Sequence, residues 1–180
     1  YNNFKSLSYR RTLGKIELPE KNLLFTHKLS SLTNAGRIHR CIITTLLLRT
    51  NCVLTHLDSL KTIKPKKFQD PDIKKIYIDN ARDAYTKFKQ DEFNDQIGDI
   101  KPLQESLTLI QKGFCNIVAE DPFYSDKPRI TEKTIKPLLC YRPFLLLAPT
   151  GTLQWLKDNG FETFSKWWDE SYDKQTDHQL

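Results

Sequence analysis

Apolar positions along this chain follow two rhythms that alternate: short unbroken runs, and longer stretches spaced at three and four. The unbroken runs are residues 21–28 (KNLLFTHK), 51–58 (NCVLTHLD), 115–121 (CNIVAED) and 142–149 (RPFLLLAP). Runs of that length with little polar alternation suit strands covered on both faces, and the last of them reads as a central strand. The stretches between them read as helices. In LTNAGRIHRCIITTLLLR, Ile38, Cys41, Ile42, Thr45, Leu46 and Arg49 lie near helical spacing. Residues 72–91 form a charged amphipathic stretch, and residues 102–112 open with Pro102 and repeat leucine at Leu103, Leu107 and Leu109. A further helix is expected after Thr131, although Pro137 should bend or end it, and another over residues 153–160 with Gly160 as its C-cap. Strand and helix in alternation predict an α/β fold, a Rossmann-like sandwich whose mainly parallel central sheet is flanked by helices. Ligands of such sheets bind beyond the carboxyl ends of the strands, close to helix N-termini.

Composition narrows this picture. A chain of 180 residues with 38% apolar content can bury one sizeable core. No apolar run approaches the roughly 18 residues that a membrane span needs, and with cysteines expected as reduced thiols a cytoplasmic setting is expected. The four cysteines, Cys41, Cys52, Cys115 and Cys140, match no metal-binding or CxxC spacing and are expected as reduced core thiols. The chain begins at Tyr1 and contains no Met, which suggests an excised part of something longer. The expected division is a basic segment over residues 1–20, a nucleotide-binding domain over 21–173, and a disordered tail over 174–180.

Charge is uneven. Residues 1–68 hold 13 Lys/Arg against 3 Asp/Glu, a balance of +10, whereas residues 69–180 hold 15 against 19, a balance of −4. The front third should attract anions, either as a solvated basic face or as a binding surface for phosphate groups. One reading of it is a non-catalytic nucleic-acid-binding module in which Lys61, Lys64, Lys66 and Lys67 contact phosphates.

Two polar clusters follow predicted strands. In NAGRIHR, Asn34 leads into Arg37, His39 and Arg40 at the start of a helix, where free backbone N–H groups and guanidinium forks would receive a pyrophosphate. The competing reading puts Arg37 and Arg40 on the wet face of the helix and gives His39 a capping or packing role. In PRITEKT, Thr131 suits an N-cap and Glu132 the positive end of the helix dipole; its two carboxylate oxygens match a ribose diol, while Lys133 or Arg129 would meet phosphate. Plain capping with solvated charges explains the same residues. Glu120, closing its strand, is a weaker candidate. Gly151 would let a ligand approach closely, or simply makes a turn. The chain has no GxSxG, P-loop or GxGxxG, and its four histidines are scattered without metal-ligand spacing.

The segment RITEKTIKPLLCYRPFLLLAPTGTLQWLKDNGFETF with the following WWDESYD resembles glycosyltransferase-like proteins of bacteria and large phages, over about 45 residues. Its TEK, helix and apolar strand are also similar to the nucleotide-sugar motif of fucosyltransferase-like enzymes with the GT-B fold, and NAGRIHR resembles the Arg-x-His-Arg segment that precedes that motif. The resemblance implies the donor-binding, C-terminal half of a GT-B glycosyltransferase, with the acceptor half on another domain or subunit. Glu132 would then hold the donor ribose, Lys133 and Arg37 would face the diphosphate, and His39 with Arg40 would support that site. It further implies a nucleotide-sugar donor as co-substrate, no cofactor and no metal: leaving-group charge would fall to arginine, lysine and helix amides. The acceptor is left open and includes a hydroxymethylated base in phage DNA; the catalytic base would come from the other half.

Overall fold

The computed structural model describes residues 24–32, 38–47, 50, 52–55, 95–97, 103–120, 123, 125 and 127–175. Within them the chain runs β1 (His27–Ser31), α1 (Ile38–Leu47), β2 (Cys52–Thr55), β3 (Asp95–Ile97), α2 (Leu103–Lys112), β4 (Gly113–Ala119), α3 (Glu132–Leu139), β5 (Phe144–Leu147) and α4 (Thr152–Asp158), and closes in a 3-10 turn (Ser171–Lys174). The expected alternation is present, as an α/β fold with a parallel sheet. The helix read over residues 72–91 and the loop before it lie outside the described residues.

The sheet has five strands in the order β3-β2-β1-β4-β5, and each neighbouring pair is parallel. From β1 the chain steps outward to β2 and β3, then returns to the opposite side of β1 for β4 and β5. The direction of winding therefore reverses between β1 and β4, and connections leave the carboxyl ends of these two strands on opposite sides.

The two faces of the sheet are covered by different helices. On one, Ile43 and Leu47 of α1 pack with Cys52, Ile117 and Ala119. On the other, Leu153 and Leu156 of α4 pack with Val118, Phe144 and Leu146, joined by Leu138 of α3. Beside α3, Leu107 and Ile110 of α2 enclose Cys140. Successive residues of β4 thus feed opposite cores, which is why the run CNIVA carries so little polar alternation.

Three expectations need correcting. The first strand is displaced from residues 21–28 to His27–Ser31. Leu24 and Phe25 precede it and are 79% and 51% exposed, so their apolar character marks no buried strand. The buried face of α1 is also rotated: His39, Arg40, Ile43, Thr44 and Leu47 are buried, while Leu46 is exposed. Three polar side chains, His39, Arg40 and Thr44, join that buried face, and an apolar count could not include them. Finally, among the described residues the RPFLLLAP strand lies at an edge of the sheet and not at its centre. It is apolar on both sides because helices cover both faces, and its Leu146 N–H is met by the Tyr172 hydroxyl at 3.5 Å. Lys174 completes the 3-10 turn, and residues 176–180 of the expected tail lie outside the described residues.

The amino end of the sheet is tied together by Arg142, whose Nη2 donates to the carbonyl oxygens of Leu24 and Gln111, both at 2.6 Å. The carboxyl end, where the winding reverses, gathers the polar groups described next. Among the described residues no helix is long and apolar enough to cross a membrane.

Candidate functional site

Glu120 follows directly on β4, whose apolar residues carry it to the rim of the sheet and leave its side chain 0% exposed. A carboxylate so deeply buried needs donors on its oxygens. It has three: the Thr131 N–H at 2.8 Å and the Thr134 hydroxyl at 2.6 Å on Oε1, and the Thr131 hydroxyl at 2.6 Å on Oε2.

Thr131 makes these bonds while acting as the N-cap of α3. Its backbone is extended, with φ −122° and ψ −170°, and its Oγ1 accepts the Lys133 N–H at 3.3 Å. One hydroxyl thus donates to Glu120 and accepts from the helix. The Thr-x-x-Thr spacing puts Thr134 one turn on, fully buried, where its hydroxyl points back to the same carboxylate.

From the opposite face of the sheet, α1 brings His39, 3% exposed, to the same residue. Its Nε2 lies 3.0 Å from the Glu120 carbonyl oxygen. A carbonyl only accepts, so Nε2 carries the hydrogen. The imidazole stacks on Phe123 with ring centroids 4.8 Å apart and planes 14° from parallel. Arg40 is 4% exposed, which removes the reading that put it on a wet face. The start of α1 and the start of α3 therefore meet through one residue at the reversal of the winding.

Glu132 and Lys133 pair with each other, Oε1 to Nζ, at 3.1 Å, with side chains 33% and 17% exposed. Burial pushes the Glu132 carboxyl up, but the Lys133 charge and hydrogen bond, its own backbone amide and Lys136 outweigh this and hold it below the ordinary glutamate range. Burial lowers the Lys136 ammonium, with Glu132 opposing and Lys133 reinforcing the shift. The first two turns of α3 thus carry two lysines and one glutamate in mutual reach. Arg129 lies exposed just before them. Asn34 and Arg37 fall outside the described residues.

Gly151 is elsewhere. It starts α4 with φ 79°, and its N–H donates to the Asp173 carbonyl at 2.8 Å. The next amides are taken by the Asp173 carboxylate, Leu153 at 3.0 Å and Gln154 at 3.2 Å. The place where an anion would approach is filled by the protein's own side chain, so Gly151 serves a turn. A hollow of ≈ 300 Å³ beside it is lined by Gly151, Lys157, Glu170 and Asp173 among others. It is separate from the Glu120 cluster.

The sequence reading left Glu120 as a weaker candidate and did not single out Phe123 or Thr134. A glutamate ending an apolar run and a pair of threonines at helical spacing were the available signals, but a hydrogen bond across 11 or 14 residues leaves no periodic trace. Cys52, Cys115 and Cys140 are buried, and Cys115 and Cys140 are free thiols. Burial pushes Cys115 up to about 11 and Cys140 up to about 12, so both remain thiols and are poor nucleophiles. Among the described residues no three His, Cys, Asp or Glu side chains gather as a metal site requires. No protein-family model, curated protein or solved structure matches the chain.

Proposed function

We propose that this domain binds a nucleotide-diphosphate sugar at the carboxyl rim of its sheet, between the starts of α1 and α3, as the donor half of a metal-independent, GT-B-type glycosyltransferase. The observation that carries the reading is the convergence on Glu120: His39 reaches it from one face of the sheet and Thr131 from the other, at the reversal of the winding. The strand order, equal to five consecutive positions of a Rossmann-like sheet, supports the same location, because such sheets bind dinucleotides in that crevice.

In this reading Glu132 exchanges its bond to Lys133 for the ribose diol, and the released ammonium turns to the diphosphate with Arg37 and Arg129, while the buried His39 and Arg40 support the site. The acceptor hydroxyl attacks the anomeric carbon, the bond from that carbon to the diphosphate oxygen breaks, and the cations take up the charge that develops there. The acceptor's proton leaves to a base on the acceptor-binding half.

Calorimetry of the full chain with UDP, GDP and their sugars tests this. Binding is expected for at least one of them, weakened about tenfold or more by Glu132→Ala combined with Arg37→Ala, as the loss of charged hydrogen bonds requires. No binding of any nucleotide diphosphate or nucleotide sugar would overturn it. The +10 charge over residues 1–68 favours one second reading, a nucleic-acid-binding module. Its signature would be DNA affinity that falls steeply with salt and is indifferent to Glu132→Ala.

A further inference from the structure

We infer that Glu120 is a positioning residue, which fixes the start of α3 relative to α1 and does not itself touch the ligand. The inference rests on the binding site proposed above, but its first test does not.

Glu120 acts on both sides of the sheet with different groups. Its backbone carbonyl receives His39 at 3.0 Å and so fixes the start of α1. Its carboxylate receives Thr131 twice and Thr134 once, at 2.8, 2.6 and 2.6 Å, and so fixes the start of α3. The distance between two helix starts that must grip one ligand is thereby set by a single rigid residue. At 0% exposure, with three donors already on its two oxygens, the carboxylate is closed to an incoming diol. Glu132 on the neighbouring turn is one-third exposed and better suited to that contact.

Thr134 makes the inference separable from direct binding. It is 0% exposed, so a change there reaches a ligand only through Glu120. Thr134→Val keeps the shape and removes the hydroxyl; Thr134→Ser keeps the hydroxyl.

The first measurement is hydrogen exchange of the Thr131 amide by NMR, in the full chain without ligand. Glu120→Gln is expected to speed it at least about tenfold, and Thr134→Val about threefold, since each removes a charge-assisted bond from one network. Thr134→Ser should return it to the wild-type rate. The second measurement is UDP and GDP affinity, which should fall in the same order, with the Glu120→Gln/Thr134→Val double variant no weaker than Glu120→Gln alone. Unchanged Thr131 exchange in Glu120→Gln would overturn the inference. So would lost affinity in Glu120→Gln with wild-type affinity in Thr134→Val, the pattern of a direct ligand contact. If neither diphosphate binds, the function proposed above fails, and the exchange rates still decide whether Glu120 holds the start of α3.

Discussion

The helices α3 and α4 solve the same problems with different residues. Each follows a strand of the same sheet, and each has a glutamate that gathers a threonine hydroxyl and a backbone N–H. For α3 it is Glu120, with Thr131; for the segment after α4 it is Glu170, which accepts the Thr163 hydroxyl at 2.7 Å and the Phe164 N–H at 2.8 Å. Glu170 also pairs with Lys157 at 3.1 Å, a lysine about one-third exposed. Among the described residues no cation pairs with Glu120, whose charge is met by hydroxyls and an amide alone. Glu170 thus fastens a loop with a solvated counter-charge. The Glu120 carboxylate lies instead at the start of α3, where the partial positive charge of the helix N-terminus favours it.

The largest expected effect sharpens this contrast. Glu120→Ala leaves three donors without their acceptor, the fully buried Thr134 hydroxyl among them, and should cost roughly 3 kcal/mol or more of unfolding free energy, whereas Glu170→Ala releases two donors beside the exposed Lys157 and should cost about 1 to 2 kcal/mol. Urea denaturation of both variants measures it, and equal costs would break the comparison.

The N-termini differ in where the cap comes from. Thr131 caps α3 from the adjacent position, while α4 relies on Asp173, 20 residues beyond Leu153. Asp173→Ala should cost about 1 kcal/mol and free the first amides of α4. Exchange of the Leu153 and Gln154 amides that stays slow in this variant would show that Asp173 is not the cap.

At the C-termini the two helices share one motif built on different residues. After α4, Gly160 at φ 83° donates to the Lys157 carbonyl, and Phe161 to that of Leu156. After α3, Tyr141 takes the same left-handed place at φ 54°, donating to the Leu138 carbonyl, while Arg142 donates to that of Pro137. Tyr141 is 59% exposed. Tyr141→Gly should stabilise by about 1 kcal/mol through relief of the left-handed strain, and Gly160→Ala should destabilise by a similar amount. Thermal unfolding measures both, and a destabilised Tyr141→Gly would mean that the ring makes contacts that outweigh the strain.

The smallest effect is in the pH dependence. Burial raises the Glu132 carboxyl, but Lys133 and the other groups around it leave it below the ordinary value of 4.5 in the folded chain. A carboxyl depressed by folding stabilises fully above its unfolded value and loses that contribution as the pH falls through the folded one. Wild type should therefore lose slightly more stability than Glu132→Gln on acidification from pH about 5 downward. Parallel stability curves would contradict the shift.

Legibility followed the range of the interaction. The leucine spacing of α2, Thr131 as a cap and Gly160 at a helix end were read correctly because each acts within one or two turns. Pro137 was expected to bend or end α3, and the helix stops two residues later. The buried face of α1 was misread because His39 and Arg40 are buried for reasons external to the helix: one reaches the Glu120 carbonyl, 81 residues away, and stacks on Phe123.

The alternation of unbroken apolar runs with helical spacing was enough to determine a parallel α/β sheet, because burial on two faces demands such runs and local hydrogen bonding favours such helices. Only the tertiary structure decided that β5 lies at an edge among the described residues, that Asp173 fills the start of α4, and that the starts of α1 and α3 meet on Glu120. Strand order and remote hydrogen bonds depend on how the whole chain shares its buried surface, and no short window of residues carries that information.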